Sequence, residues 1–258
     1  MPGEADWRDP GDYEPDEALD WPAIAMGYLA RNARYRADRT DALRQVSSGI
    51  ADAATATRAL VDRWGISLPV DPMREPDLRD VIIPPERSPI ILTLVSALNP
   101  IGPITLPSVG GSGFTMRFDD GDYTILRAAN GDHRLWSVNT GVGALALLLP
   151  LDVGASVRLA AASRLLRRLT GSVEGPSPLL ATPLKLQRHL RLLRLLDGQR
   201  AGARARLLAS VLIDPQVEGF RAAEWADCRQ RKQIGRWTNE ANQLMNGGYL
   251  TLLNGGSG

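Results

Sequence analysis

The sequence is short of the residues that make cross-links, metal cages and proton relays. Among 258 residues there is one cysteine, Cys228, and there are two histidines, His133 and His189. A lone cysteine excludes an intrachain disulfide, and the reducing cytosol is the default setting for such a chain. A cysteine nucleophile needs a base beside it, and only the two histidines could serve. Neither histidine has a Cys or His neighbour at zinc-site spacing. No catalytic residue, metal or cofactor is expected, and an enzyme is the least favoured class. Long apolar runs are missing too: ALALLLPL at 144–151 is far too short to span a bilayer and contains Pro150. The opening MPGEADWRDPGDYEPDE is acidic and has no apolar core, so it does not read as a signal peptide. These absences point to a soluble, cytoplasmic chain without a membrane partner.

What is present is ordinary in amount and uneven in placement. Hydrophobic residues make up 44% and charged residues 23%, and the length has room for two domains or three small ones. The net charge of +1 hides a gradient. Residues 1–80 hold 10 Lys/Arg against 16 Asp/Glu, residues 81–181 hold 8 against 7, and residues 182–258 hold 12 against 6. A basic end fits a polyanion, and an acidic start fits a protein partner or self-association. Asp6, Asp9, Asp12, Asp16 and Asp20 read as a solvated or docking surface.

The pattern along the chain predicts an α+β protein. It comprises an N-terminal helical domain (1–75), a small antiparallel β-rich middle segment (76–175) and a C-terminal helix-turn-helix-like helical domain (182–258). Helices are expected over 21–39 and 41–64, the second stopped by Gly65. Strand-like runs follow: VII at 81–83, PIILTLV at 89–95, FTMRF at 114–118, YTILRA at 123–128 and RLWSV at 134–138. Their separators, DDGD at 119–122 and NGD at 130–132, are turn chemistry and suggest a meander. Residues 152–170 read as a helix capped by Asp152 and stopped by Gly171. Three last helices are expected at about 183–197, 203–213 and 225–246, with Gly198 and Gly202 bracketing the first turn.

On a helix over 228–246, Ile234, Trp237, Ala241, Leu244 and Met245 share one stripe. Arg229, Lys232 and Arg236 stand opposite, with Gln233, Asn239 and Gln243, while Arg231 lies off both faces. Cations and carboxamides are the side chains that pair with guanine and adenine edges in a major groove. Arg229, Arg231, Lys232, Gln233 and Arg236 are therefore the candidates for base edges. Lys185, Arg188, Arg191, Arg204 and Arg206, on the two preceding helices, are the candidates for phosphates. In the first of these helices, arginines at 188, 191 and 194 form a stripe beside a leucine stripe. Double-stranded DNA is the expected partner. The same face could instead bind an acidic protein in an assembly or antiactivator module, or be merely solvated. The stretch from Asp214 to Glu224 is longer than a minimal helix-turn-helix connection.

LQRHLRLLRLLDGQRAGARARLLASVLI, then Trp225, Arg229-x-Arg231 and LMNGGYLTLL at 244–253, resembles the C-terminal part of the RovC- and FseA-type transcription activators of proteobacteria. DWRDPGDYE, WPAIAMGYLARNARYRAD and DRWGISL resemble the small regulator domain often fused to it. LLPLD at 148–152, with Arg158 and SRLLRRLTG, also fits. The resemblance implies sequence-specific DNA binding and activation of mobile-element excision and transfer genes or of secretion genes. It also implies homo-oligomers, control by a small antiactivator protein, contact with RNA polymerase, and a place at the nucleoid. The recognition helix it implies is the one holding Arg229, Arg231, Lys232 and Arg236. Gly235 interrupts the denser arginine run of the family, at a cost of about 1 kcal/mol relative to Ala in a helix.

Other motifs read as loops. GGSG at 110–113 lacks the Lys-Ser/Thr of a phosphate loop. Asp119, Asp120 and Asp122 lack the closing Glu of a calcium loop.

Overall fold

Helix α1 (Trp21–Leu29) has no solvent-facing side: all nine residues are buried. A helix apolar all round is stable only when covered on every side. The computed structural model, which describes residues 6–14, 19–98, 113–138 and 144–255, shows what covers it. A 3-10 turn at Leu78–Asp80 lies on one side, and two C-terminal helices and the last 3-10 segment lie on others. Asp20 starts α1 by accepting a hydrogen bond from Ala23 N at 3.1 Å, and Pro22 suits the first turn.

The helix expected over 21–39 is two helices. Asn32 interrupts it, its side chain accepting from Arg34 N and Tyr35 N to cap α2 (Ala33–Ser47). The helix expected over 41–64 is interrupted as well. Gly49 takes φ 71°, and Asp52 caps α3 (Ala53–Trp64) through Thr55 N. Gly65 ends α3 at φ 81°, where the sequence placed the stop. Apolar periodicity ran through both breaks because the capping side chains lie within it.

The sheet has strands β1 (Ile91–Ser96), β2 (Phe114–Phe118), β3 (Gly121–Leu126), β4 (His133–Ser137) and β5 (Leu145–Leu148), in the order β2-β3-β4-β1-β5. β2, β3 and β4 form the expected antiparallel meander. The wholly antiparallel reading needs correction at β1, which pairs parallel with β4, Ile91 opposite Arg134. Tight turns fix the pairing of adjacent strands only, and β1 meets a partner far along the chain. β5, antiparallel to β1, comes from the apolar run around 144–151, which has no alternation to mark it as a strand. Residues 81–83 make no strand, only the bridge of Ile82 to Ser67. After β5, α4 (Ala155–Leu169) packs on β1. Gly154 holds its cap position, while Asp152 accepts from Gly154 N and pairs with Arg158.

One continuous apolar cluster includes Trp7, Leu29, Ile83, Leu135, Leu165, Leu195, Ile234 and Leu253, so all three stretches of the chain supply a single interior. The acidic start is not simply solvated. Asp6, Asp9 and Asp12 accept backbone N–H groups of Arg8, Gly11 and Asp6. Asp20 is 3% exposed and pairs with Arg134 of β4, which is 0% exposed. Arg134 also donates to Arg79 O at 3.3 Å. Asp16 and Gly110, Gly111 and Ser112 of the GGSG stretch lie outside the described residues.

Asp20 thus caps α1 and neutralises a buried guanidinium at once. Asp20→Ala should cost about 3–5 kcal/mol in urea unfolding, because it strands a buried charge. Asp20→Asn keeps the cap acceptor and should recover no more than about 1 kcal/mol of that loss. Near-complete recovery would show that capping, not charge, is what matters.

Candidate nucleic-acid interface

Four helices form the C-terminal end: α5 (Pro183–Arg200), α6 (Ala205–Leu212), α7 (Ala222–Asp227) and α8 (Arg229–Met245). α5, α6 and α8 pack against one another in all three pairings. Gly198 lies inside α5 rather than in a turn. A Cβ there would stand 2.6 Å from Leu208 Cδ2 and 2.9 Å from Trp7 Cδ2, so glycine lets α6 and Trp7 meet α5. Gly202, at φ 78°, makes the turn. The helix expected over 225–246 breaks at Cys228, whose extended backbone ends α7 and whose Sγ accepts from Arg231 N at 3.3 Å.

The expected stripe of α8 faces inward: Ile234 and Ala241 are buried, and Trp237, Leu244 and Met245 are half-buried. Arg229, Arg231, Lys232, Arg236, Asn239 and Gln243 are exposed, and Gln233 is half-buried. The two halves of α8 are held differently. At the C-terminal end Asn32 Nδ2 donates to Met245 O and to Asn246 Oδ1, both at 3.2 Å. Beyond it Tyr249 OH donates to Trp64 O at 2.6 Å and Ser88 Oγ to Leu253 O at 2.6 Å. In the first half Gln230 Nε2 donates to Asp214 at 2.9 Å, and Ile234 is buried in the core. At 1.5 Å per residue, the seventeen residues of α8 span about 25 Å.

The candidate cations fall into three conditions. Arg191, Arg204, Arg229, Lys232 and Arg236 are exposed and have no salt bridge or side-chain hydrogen bond among the described residues. Lys185, Arg188 and Arg231 are exposed but engaged. Lys185 sits over the Trp21 ring at 5.6 Å, Arg188 pairs with Glu240 at 2.8 Å, and Arg231 donates to Ala226 O at 2.9 Å. Arg206 is committed elsewhere: its Nε donates to Val217 O at 3.1 Å, and its Nη2 to Glu218 O and Phe220 O. It holds the long connection between α6 and α7, which corrects its reading as a free phosphate ligand. The stripe of arginines on α5 turns inward at Arg194, which is buried and donates to Trp7 O and Arg8 O at 2.9 and 2.8 Å.

Sequence spacing missed the residues that seat this module. Arg31 pairs with Asp197 at 2.6 Å, and Tyr13 OH donates to the same carboxylate at 2.7 Å. These partners lie far apart in the chain, so no local pattern marks them. His189 of α5 meets Tyr28 OH at 2.8 Å, with Trp21 edge-on. Burial, helped by Arg188 and Lys185, pushes its imidazole down to about 4. Burial and Arg164 push His133 to about 4, against Glu174 at 2.8 Å.

Residues 148–254 match the RovC family, described as a T6SS transcription factor DNA-binding domain, and residues 6–69 match the proteobacterial transcriptional regulator-like domain. The two matches, a regulator domain followed by a DNA-binding domain, are those expected of the RovC/FseA-type transcriptional regulators. It is a DNA-binding transcription regulator, and its DNA-binding domain includes α4 to α8. No curated protein matches the chain. Among the described residues no helix is long and apolar enough to cross a membrane.

Both histidines are neutral when folded at pH 7 and protonate near pH 6.5 when unfolded. The unfolded form therefore takes up protons first as pH falls, and stability is lost between about pH 6.5 and 4. His189→Gln should flatten the fall of the urea midpoint between pH 7 and 5 to roughly half. A slope unchanged in the variant would rule out His189 as a source.

Proposed function

We propose that this regulator activates transcription by reading a specific duplex sequence with the first half of α8, in a helix-turn-helix-like arrangement supported by α5 and α6. One observation carries the reading. The exposed face of α8 presents Arg229, Lys232 and Arg236 unpaired, beside Gln233, while its C-terminal half is occupied by the regulator domain. Recognition helices meet base edges with their N-terminal residues. Arg231 joins them from the flank of the helix. Lys185, Arg188, Arg191 and Arg204 would grip phosphates, which position the helix without reading sequence. Arg206 would serve that grip indirectly, by holding the connection ahead of α7.

Activation, the operon class and the assembly belong to this proposal. The match to a T6SS transcription factor domain favours secretion genes, and the FseA resemblance favours mobile-element genes. A homo-oligomer at the nucleoid would read repeated half-sites. The N-terminal domain would meet RNA polymerase or a small antiactivator.

Selection of bound duplexes from a random pool tests the reading, with the Arg229/Lys232/Arg236→Ala variant alongside. An enriched motif lost in the variant is expected. On that motif Arg236→Ala should cost about 1–3 kcal/mol if it reads a guanine, and much less on random duplex. Equal losses on both would move Arg236 to phosphate. No enrichment at moderate salt would shift the reading to an acidic protein partner.

A further inference from the structure

A cleft of about 500 Å³ opens between α2 and the stretch of chain at 68–78. Its walls are apolar, with Leu43, Leu68, Leu78, Pro72 and Pro76 among them. Arg36 and Arg39, one turn apart on α2, also line it. The Nε atom of each is buried and has no hydrogen-bond partner. Arg39 uses its Nη2 on Pro69 O at 3.2 Å, and Arg36 has no salt bridge or side-chain hydrogen bond among the described residues. The other charges of the cleft do not compensate them. Arg74 is paired with Asp80 at 2.7 Å, and Asp71 accepts from Met73 N at 2.9 Å.

Buried donors without acceptors cost stability in a chain standing alone. The Nε atoms are closed off, so a ligand in the cleft would meet the outer N–H groups of Arg36 and Arg39. An anionic acceptor with an apolar body suits those groups and the apolar wall beside them. A carboxylate matches a guanidinium in plane and can take two N–H bonds from it. A cleft of this size holds a small molecule rather than a folded partner.

We propose that this cleft binds a small amphipathic carboxylate, its head on Arg36 and Arg39 and its body against Leu43, Leu68 and Leu78. The site is independent of how α8 reads DNA. Arg36 also lines the smaller cleft that Asn242 and Met245 of α8 share, so the head group would sit one side chain from the seat of that helix.

The test is calorimetric titration of the full chain, without DNA, using octanoate as the probe and octanol as its neutral counterpart. Saturable binding of octanoate is expected, with octanol weaker by about tenfold or more. Arg36→Gln/Arg39→Gln should weaken octanoate by a similar factor, with its circular dichroism and unfolding midpoint compared beside wild type. Leu43→Ser, which keeps the net charge and both guanidinium groups, should also weaken octanoate and so separate the cleft from simple surface charge. Absence of saturable octanoate binding, equal binding of octanol, or full affinity in the folded double variant would each overturn the proposal.

Discussion

Complete burial of α1 is the constraint on which the rest depends. Nine residues without a polar face must be enclosed, and no single stretch of this chain is large enough to enclose them. Leu29, Met26 and Tyr28 lie in the same cluster as Leu193, Ile234 and Leu253 of the C-terminal end and Ile83 and Leu135 of the middle. The same helix is fixed at its start by an ion pair, Asp20 with Arg134, that has no access to water. A buried pair of this kind contributes little net stability but punishes its own disruption. It makes the register between α1 and β4 hard to change.

From that enclosure follows the state of α8. Its last turns are built into the cover of α1, through Asn32 and the fold-back of residues 247–254. Its first turns carry the cations on their outer side, while Ile234 joins the apolar cluster that holds α1. Gly235, with open space around its Cβ position, lies on the outer side of this half. The regulator domain is thus not a neighbour on a linker. It forms part of the socket in which α8 stands, through α1 and through Asn32 at the start of α2.

The sequence made the parts of this design that repeat locally easy to read. The inward stripe of α8, the Gly65 stop and the β2–β3–β4 meander follow from period and turn chemistry. The breaks at Asn32 and Asp52 were not legible, since a capping residue inside a periodic run looks like any polar position on its outer face. The parallel seat of β1 and the pairs of Arg31 with Asp197 and Asp20 with Arg134 depend on residues brought together only by folding. Arg194 and Arg206 mark the same limit within the candidate interface. In spacing they look like surface cations, yet one is drawn inward by the carbonyls of Trp7 and Arg8 and the other is used by a loop. The family motifs bridged part of that gap. They pointed to a DNA-binding module whose surface the spacing alone left open between DNA, protein and solvent.

The most direct measurement is amide hydrogen exchange of the full chain, with and without a duplex taken from the bound pool. The account predicts that DNA slows exchange over residues 229–240, while 21–29 and 241–254 are already protected and change little. Protection appearing on α2 and α3, with residues 229–240 unchanged, would contradict it and place the DNA on the regulator domain instead.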